Sequence, residues 1–454
     1  MRDSPVLLIF LFLSGGLLAH ADRAAALTLA AALAAAYEDS PVLEAARADL
    51  RSLDENVPIA SAGQRPQVGF STSTSVSVRS SSDTPEGTHV SRSGIFVQQP
   101  LYTGGRVDAA SERARLAVSL ARARLEAREQ DVLLAAVETY TDAHFAERRL
   151  ALALVNRDRS ERILQNARDR YRLGGSTGTD VALAETHLQQ ARAEVEHKRA
   201  ELTTARVHFG VIIGLPAEGL EAAMEPEGLP PSLDEMRGEL EDHPELRAAG
   251  LAVELADADV GVADSSSAAS MTLNGAAFYV DQPSEDVSME PDIRLGLVFD
   301  VPLYRGGADR ARSRQARQAR SAREHDFRAE RRRREAELVS AHAALESVRQ
   351  RLSALEARRR VARIAIDGLR QEAILGTASM TDVLDAEETL FETEIDLELL
   401  AQERVSAAYR VLAATGLLSA RRLGLDVSHY EPDHHFEQVR SGWFGRKSDD
   451  ETTR

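Results

Sequence analysis

The residues best placed to do chemistry stand in the stretch "TDVLDAEET" from Thr381, which carries carboxylates at Asp382, Asp385, Glu387 and Glu388. Asp382 and Asp385 are three apart, so at the start of a helix they share one face. Such a pair has two uses. With Thr381 as cap, the acidic run complements the positive end of the helix. Held at a constriction, it draws cations. Nothing nearby completes a catalytic set. The chain has no Gly-x-Ser-x-Gly, no phosphate-loop lysine motif and no His-Glu-x-x-His. No catalytic residue, cofactor site or metal site is therefore expected. His429, His434 and His435 lie in a polar carboxy-terminal stretch beginning near Asp426, expected to be a flexible tail over 425–454 rather than a metal site.

The bulk of the chain narrows the class. Its 454 residues are 43% hydrophobic but only 5% aromatic, a balance suited to close helix packing. The net charge of −17 argues against a nucleic-acid partner. The absence of cysteine rules out disulfides and a lipid-anchored cysteine. Arg2, the apolar run from Val6 to Leu18 and the Ala19-His20-Ala21 site read as a signal peptide over 1–21. No later stretch approaches the roughly 18 apolar residues of a spanning helix. A membrane crossing would have to be made with strands.

What positions the carboxylates is a chain written twice. "QQPLYTGGRVDAA" from Gln98 returns as "FDVPLYRGGADRA" from Phe299, with Pro302 standing 202 residues after Pro100. "TDVALAET" from Thr179 matches the acidic stretch at the same offset of 202, as Gly214 matches Gly416. Pro41 matches Pro244 at 203. One register with a one-residue slip implies two equivalent halves, 22–232 and 233–424.

Each half opens with a helical stretch, Leu27 to about Asn56 and Leu233 to about Val262. Two strands follow. In "VGFSTSTSVSV", Val68, Phe70, Thr72, Thr74, Val76 and Val78 take one face and small polar residues the other. Ile293, Leu295, Leu297 and Phe299 alternate in the same way near the second motif. Pro100, Tyr102, Gly104 and Gly105, and again Pro302, Tyr304, Gly306 and Gly307, form strand-to-helix turns: proline ends a strand, and two glycines admit backbone angles closed to other residues. Arg106 to Leu173 then lacks Gly and Pro altogether, and Ala308 to Leu375 contains only Gly368. Leu338, Ala341, Leu345, Val348, Leu352 and Leu355 follow coiled-coil spacing. Turns at "GGSTG" from Gly174 and "GTAS" from Gly376 lead to return helices, Thr179 to Phe209 and Thr381 to Thr415.

This pattern resembles the TolC-type outer-membrane channel family from about Leu27 to Gly416, most specifically in "PLYTGG", "PLYRGG", "YRLGGSTGTDVALAE" and "ILGTASMTDVLDAEETL". The resemblance implies a mainly helical subunit with four membrane strands, three subunits sharing a twelve-stranded barrel in outer-membrane lipid above a helical tunnel. It implies the exit duct of a tripartite efflux pump or type I secretion system. Its partners would be a periplasmic adaptor (membrane fusion protein) and an inner-membrane transporter of RND, ABC or MFS type. Asp382 and Asp385 match the family's aspartates at the periplasmic entrance. Thr179 and Asp180 match residues that hold it shut, but the positions of their family partners, an arginine and a tyrosine, are Ala378 and Ala373 here. Tyr171 and Arg172 are either substitutes in that lock or ordinary helix-end residues. Arg172, Leu173, Gly174, Gly175, Leu375 and Gly376 match the tips that meet the adaptor. The rival reading is a periplasmic coiled-coil adaptor or structural protein without a barrel, which has no use for strand pairs with one apolar face.

Overall fold

A computed structural model describes residues 27–80, 85–281 and 290–440. The expected signal peptide lies outside the described residues, as does much of both strand-connecting turns. The expected single opening helix is three: α1 (Leu29–Asp39), α2 (Pro41–Asp54) and α3 (Asn56–Ser61). Thr28 and Ser40 accept the capping bonds from Ala31 and Leu43, and Pro41 starts α2 where its missing N–H costs nothing. Then come β1 (Gln67–Ser80), β2 (Pro85–Tyr102), α4 (Arg106–Arg172) and α5 (Gly178–Ile213). The order repeats with α6 (Leu233–Glu239), α7 (Pro244–Ser265), β3 (Ser270–Asp281), β4 (Glu290–Asp300), α8 (Ala308–Leu375) and α9 (Met380–Ala414). With 67 residues α4 is about 100 Å long at ~1.5 Å per residue; α8 continues unbroken through Gly368.

The four strands form one antiparallel sheet in chain order, so β2 and β3, from different halves, lie side by side. The register puts Val68 beside Val97, Phe70 beside Ile95, and Ala277 between Ile95 and Ile293. One face thereby gathers a band of hydrocarbon, and none of the described residues covers it: Val68, Phe70, Ile95, Ile293, Leu295 and Leu297 are 53–79% exposed. On the other face Phe96 lies over Gly69 and Phe278 over Gly94. A Cβ on Gly69 would come 2.4 Å from the Phe96 ring, so these glycines are the space the rings occupy. β1 and β4 are the outer strands, and no described strand pairs with their free edges.

Both Gly-Gly turns need left-handed backbone, at +62° and +78° for Gly104 and Gly105, and +62° and +82° for Gly306 and Gly307. The proline expectation holds only for the second copy. Pro302 follows the end of β4, whereas Pro100 pairs with Thr272 inside β2, beside a bulge between Pro100 and Tyr102.

Below the sheet, α4 packs on α5, α7 and α9, and α8 on α7 and α9. The main core gathers Leu33, Leu133, Val137, Tyr140, Phe209 and Leu412 at the middle of α4. There the Tyr140 hydroxyl donates to the carbonyls of Leu27 and Glu221, beside a parallel bridge between Leu27 and Leu220.

The carboxy-terminal stretch is not a free tail as far as Arg440. Pro432–Val439 is a helix, α10, lying on α2. Tyr430 and Phe436 pack on the cluster of Leu50, Val57, Ala114 and Val118. Arg47 sits over the Tyr430 ring and Arg122 over that of Phe436, while Arg122 pairs with Asp433 at 2.7 Å. His435 Nδ1 lies 2.9 Å from the fully buried carboxylate of Asp54. The polar composition concealed two aromatic anchors at a spacing of six residues.

Two predictions follow from these junctions. In Gly104→Ala the new methyl would stand 2.3 Å from Ala268 and at positive φ, whereas Gly306→Ala meets nothing within 4 Å. Both carry backbone strain of about 1 kcal/mol or more, but only the first displaces the start of β3. Gly104→Ala should therefore unfold at the lower denaturant concentration; equal losses would remove the close-packing argument. His243 caps α7 through Nδ1, which accepts from the Glu245 N–H, so Nε2 donates to the Ala413 carbonyl 3.2 Å away. Burial, with Arg334 nearby, pushes its pKa down to about 4. The folded state thus prefers the neutral ring. That contribution is complete above the ordinary value near 6.5 and is lost as pH falls toward 4. His243→Asn, which still caps, should flatten the stability–pH curve in that window.

Candidate functional site: the paired hairpin tips

The two tips are built alike. α4 ends at Arg172, Leu173 projects with 87% exposure, and Gly174 turns the chain at φ +76°. α8 ends at Leu375, Ile374 and Leu375 project with 81% and 78% exposure, and Gly376 turns at +79°. Gly175 is not at positive φ, and a Cβ there would make only an ordinary contact with the Arg170 carbonyl at 3.7 Å.

Each return helix then starts with a reciprocal capping box. The Asp180 carboxylate accepts from the Thr177 N–H at 2.8 Å and from both the Thr177 and Ser176 hydroxyls at 2.9 Å, while Thr177 Oγ accepts from the Asp180 N–H. The Asp382 carboxylate accepts from the Ser379 N–H at 2.9 Å and the Ser379 hydroxyl at 2.6 Å, and the Asp382 N–H donates back to Ser379 Oγ. The cap is therefore Ser379 and not Thr381. A Thr two residues into the helix can mimic a cap in sequence, but the box needs its hydroxyl three residues before the acid. These bonds hold both carboxyls below the usual carboxylate range: Asp382 through the Ser379 hydroxyl and then its N–H, Asp180 through the Thr177 N–H and then the hydroxyls. Both are ionised near neutral pH. Asp385 lies one turn further on, exposed, and its carboxylate has no hydrogen-bond partner among the described residues. Asp382 and Asp385 thus present two charges on one open face, of which only the first is engaged in capping.

Of the residues offered as substitutes in the lock, neither bridges the hairpins. Arg172 pairs within its own helix with Asp169, and Tyr171 is 55% exposed with no partner among the described residues. Thr179 is exposed. It is Arg170 that crosses, donating to the Ala373 carbonyl at 3.2 Å. A backbone acceptor needs no side chain, so alanine at 373 does not forfeit the link.

A stronger connection sits deeper, and sequence reasoning missed it. Glu387, 5% exposed, is reached by Arg159 from α4 at 3.1 Å and by Arg370 Nε from α8 at 3.1 Å. One carboxylate on α9 ties three helices and both hairpins. It borders a cavity of about 400 Å³ between α4, α5 and α9, lined in part by Ile163, His187, Leu384 and Phe391. A signal was present. Val383, Leu390 and Leu397 repeat at seven residues, and Glu387 falls in the intervening seam position, where an apolar residue is the rule. In "TDVLDAEET" it reads as one more acid near a helix start.

Known proteins resemble the chain over most of its length. The family model described as "Outer membrane efflux protein" matches residues 24–215 and 237–417. The chain is 29% identical over 425 residues to "Outer membrane efflux protein BepC" of Brucella suis biovar 1 (strain 1330), covering 93% of this chain and 92% of that protein. It is 23% identical over 440 residues to "Outer membrane protein TolC" of Vibrio cholerae serotype O1, covering 93% and 98%. Among solved structures, the Campylobacter jejuni CmeC outer membrane channel superposes with a TM-score of 0.77 at 12% identity, over 91% of this chain and 89% of that one.

Removing the Glu387 charge strands two arginines that share it. A fully buried pair broken in this way loses roughly 3–5 kcal/mol. Arg370 is 44% exposed and Arg159 20%, so solvent screens part of that. Glu387→Gln should cost about 2 kcal/mol in chemical unfolding, and Glu388→Gln, on the partly exposed neighbour, well under 1 kcal/mol. Equal effects at both positions would mean that Glu387 is not a clamp.

Proposed function

Because the chain belongs to the outer membrane efflux protein family, we propose that it works as the outer-membrane exit duct of a tripartite efflux or secretion system, assembled from three copies. The observation that carries this is the sheet. Four strands cannot close a barrel, their free edges cannot face lipid unpaired, and their apolar face is left uncovered by the described residues. Edge-to-edge joining of copies satisfies both edges at once and turns that face outward to hydrocarbon. The long helices that leave the sheet through the Gly-Gly turns then line a duct whose far end is the pair of tips.

At that end Leu173, Ile374 and Leu375 stand out from otherwise polar tips. Small turns with projecting apolar side chains suit docking of a periplasmic adaptor, with an inner-membrane transporter of RND, ABC or MFS type supplying the energy. Gly174, Gly175 and Gly376 serve there by keeping the turns narrow. Asp382 and Asp385, brought from each of three copies to one axis, form the entrance. Thr179 and Asp180 flank it in the neighbouring tip.

Like charges at 4 Å in a medium of effective dielectric 20 interact by about 4 kcal/mol, so a ring of such carboxylates attracts cations strongly. In a planar bilayer the wild-type protein should conduct with cation selectivity and be blocked by trivalent cations from the tip side. Asp382→Asn with Asp385→Asn should lose most of the selectivity and the block. Asparagine keeps the acceptor for the Ser379 N–H, so the oligomer should persist. An intact oligomer with unchanged block would reduce both aspartates to helix-end residues; a wild type that forms no channels would remove the duct itself.

A further inference from the structure

The cavity beside Glu387 has a lining that the clamp does not explain. It holds about 400 Å³ between the two hairpins, with α4 and α5 on one side and α9 on the other. That volume lies in the range of small-molecule sites, roughly 300–1,000 Å³. Asn156, Arg159 and Ile163 reach it from α4, and His187, Gln190 and Glu194 from α5, each set along one helix face. α5 and α9 are joined across it by the Gln190 amide, which donates to Glu388 at 3.2 Å.

The lining is acidic. Glu194, Glu387, Glu388, Glu392 and Asp396 share the cavity with a single guanidinium, that of Arg159. Arg159 is committed to Glu387 at 3.1 Å, so the other carboxylates have no cation within the cavity. From outside it, Lys198 lies 3.4 Å from Glu194 but also holds Glu201, and Arg358 stands 3.9 Å from the exposed Asp396. Glu392 has no partner among the described residues. Such a lining repels anions and attracts cations.

Charge alone would suit any cation, and the rest of the wall decides between them. Ile163, Leu384, Phe391 and Ile395 line the same space. Phe391 and Ile395 are not needed to seat α9, because Leu390 and Leu397 fill its buried seam while these two stay half-buried. The repeat singles out the same pair. Gln190 and Glu194 of α5 are the duplicates of Glu392 and Asp396 of α9, at the offset of 202, so twin polar stripes line the cavity from both return helices. The duplicates of Phe391 and Ile395 are Gln189 and Ala193. The second half has therefore added an apolar surface beside the acidic stripe. Among the described residues no three carboxylate or imidazole groups are placed to hold a metal ion. A small hydrated ion gains little from a phenyl ring. An aromatic cation gains from both parts of the wall, through its buried body and through its charge.

We propose that this cavity binds an organic cation with an aromatic body, the charge held by Glu392 and Asp396 and the body lying against Phe391 and Ile163. The site lies within one copy of the chain, so it does not depend on how many copies assemble. Its walls come from both hairpins, so an occupant links them beside Glu387.

Ethidium, a fluorescent aromatic cation, tests this on the full-length protein in uncharged detergent. Its anisotropy should rise saturably with protein concentration. Glu392→Gln with Asp396→Asn should weaken binding about tenfold, and so should Phe391→Leu, which keeps apolar bulk and removes the ring. Asp382→Asn with Asp385→Asn, at the tips, should leave the affinity unchanged, and magnesium should compete poorly. Affinity that survives both sets of cavity variants, or that is lost with the tip variant instead, overturns the site, as does a wild type with no saturable binding. A loss in the charge variant with Phe391→Leu unaffected overturns the aromatic class and leaves an acidic trough open to any cation.

Discussion

Backbone hydrogen bonding in hydrocarbon is the constraint from which the rest of the molecule takes its form. A strand edge in water finds donors and acceptors everywhere; in lipid it finds none, and each unmade bond costs several kcal/mol. β1 and β4 have such edges, and the uncovered Val, Phe, Ile and Leu face of the sheet is suited only to a medium that imposes this cost. In the three-copy duct proposed above, the four described strands share their closure with those of the other copies. Sharing fixes the helices below it, since α4 and α8 leave the sheet after turns whose angles only glycine adopts freely.

The helical part meets the opposite solvent with the opposite economy. Its surface is dense with arginine and carboxylate, yet few pairs are buried. The exceptions mark the points where relative helix position matters. Glu387 holds both hairpins near the tips, and the Tyr140 hydroxyl holds the Leu27 and Glu221 carbonyls at the core. Exposed pairs elsewhere contribute little each and keep a long, thin structure soluble.

Much of this was legible before any coordinates. The repeat, the strand faces and the long helices are periodic signals, and periodicity survives in sequence because each element buries or wets one side throughout. What was not legible depended on single atoms or on distant partners. Ser379 and Thr381 are both good caps by type; only the reach of the Asp382 carboxylate decides between them. The crossing from Arg170 ends on a backbone oxygen, which no residue type at 373 could announce. The last described stretch reads as tail by composition, because its hold on α2 comes from Tyr430, Phe436 and one histidine whose acceptor stands 381 residues earlier. Glu387 sat in plain view, in a seam position that the surrounding acids disguised.

That last separation bears on the order of events in the life of the chain. Asp54 leaves the site of synthesis 381 residues before His435, and Tyr37 waits in the same way for the Tyr430 N–H, 393 residues on. Until that later stretch arrives, Leu50 and Val57 lack the Tyr430 and Phe436 side chains that cover them. Contacts so far apart form late, after local helix and hairpin closure. The cluster of Leu50, Val57, Ala114 and Val118 can therefore be covered only once the chain has been made through Phe436, and a copy truncated short of Tyr430 carries its defect as an open apolar patch on α2 and α4.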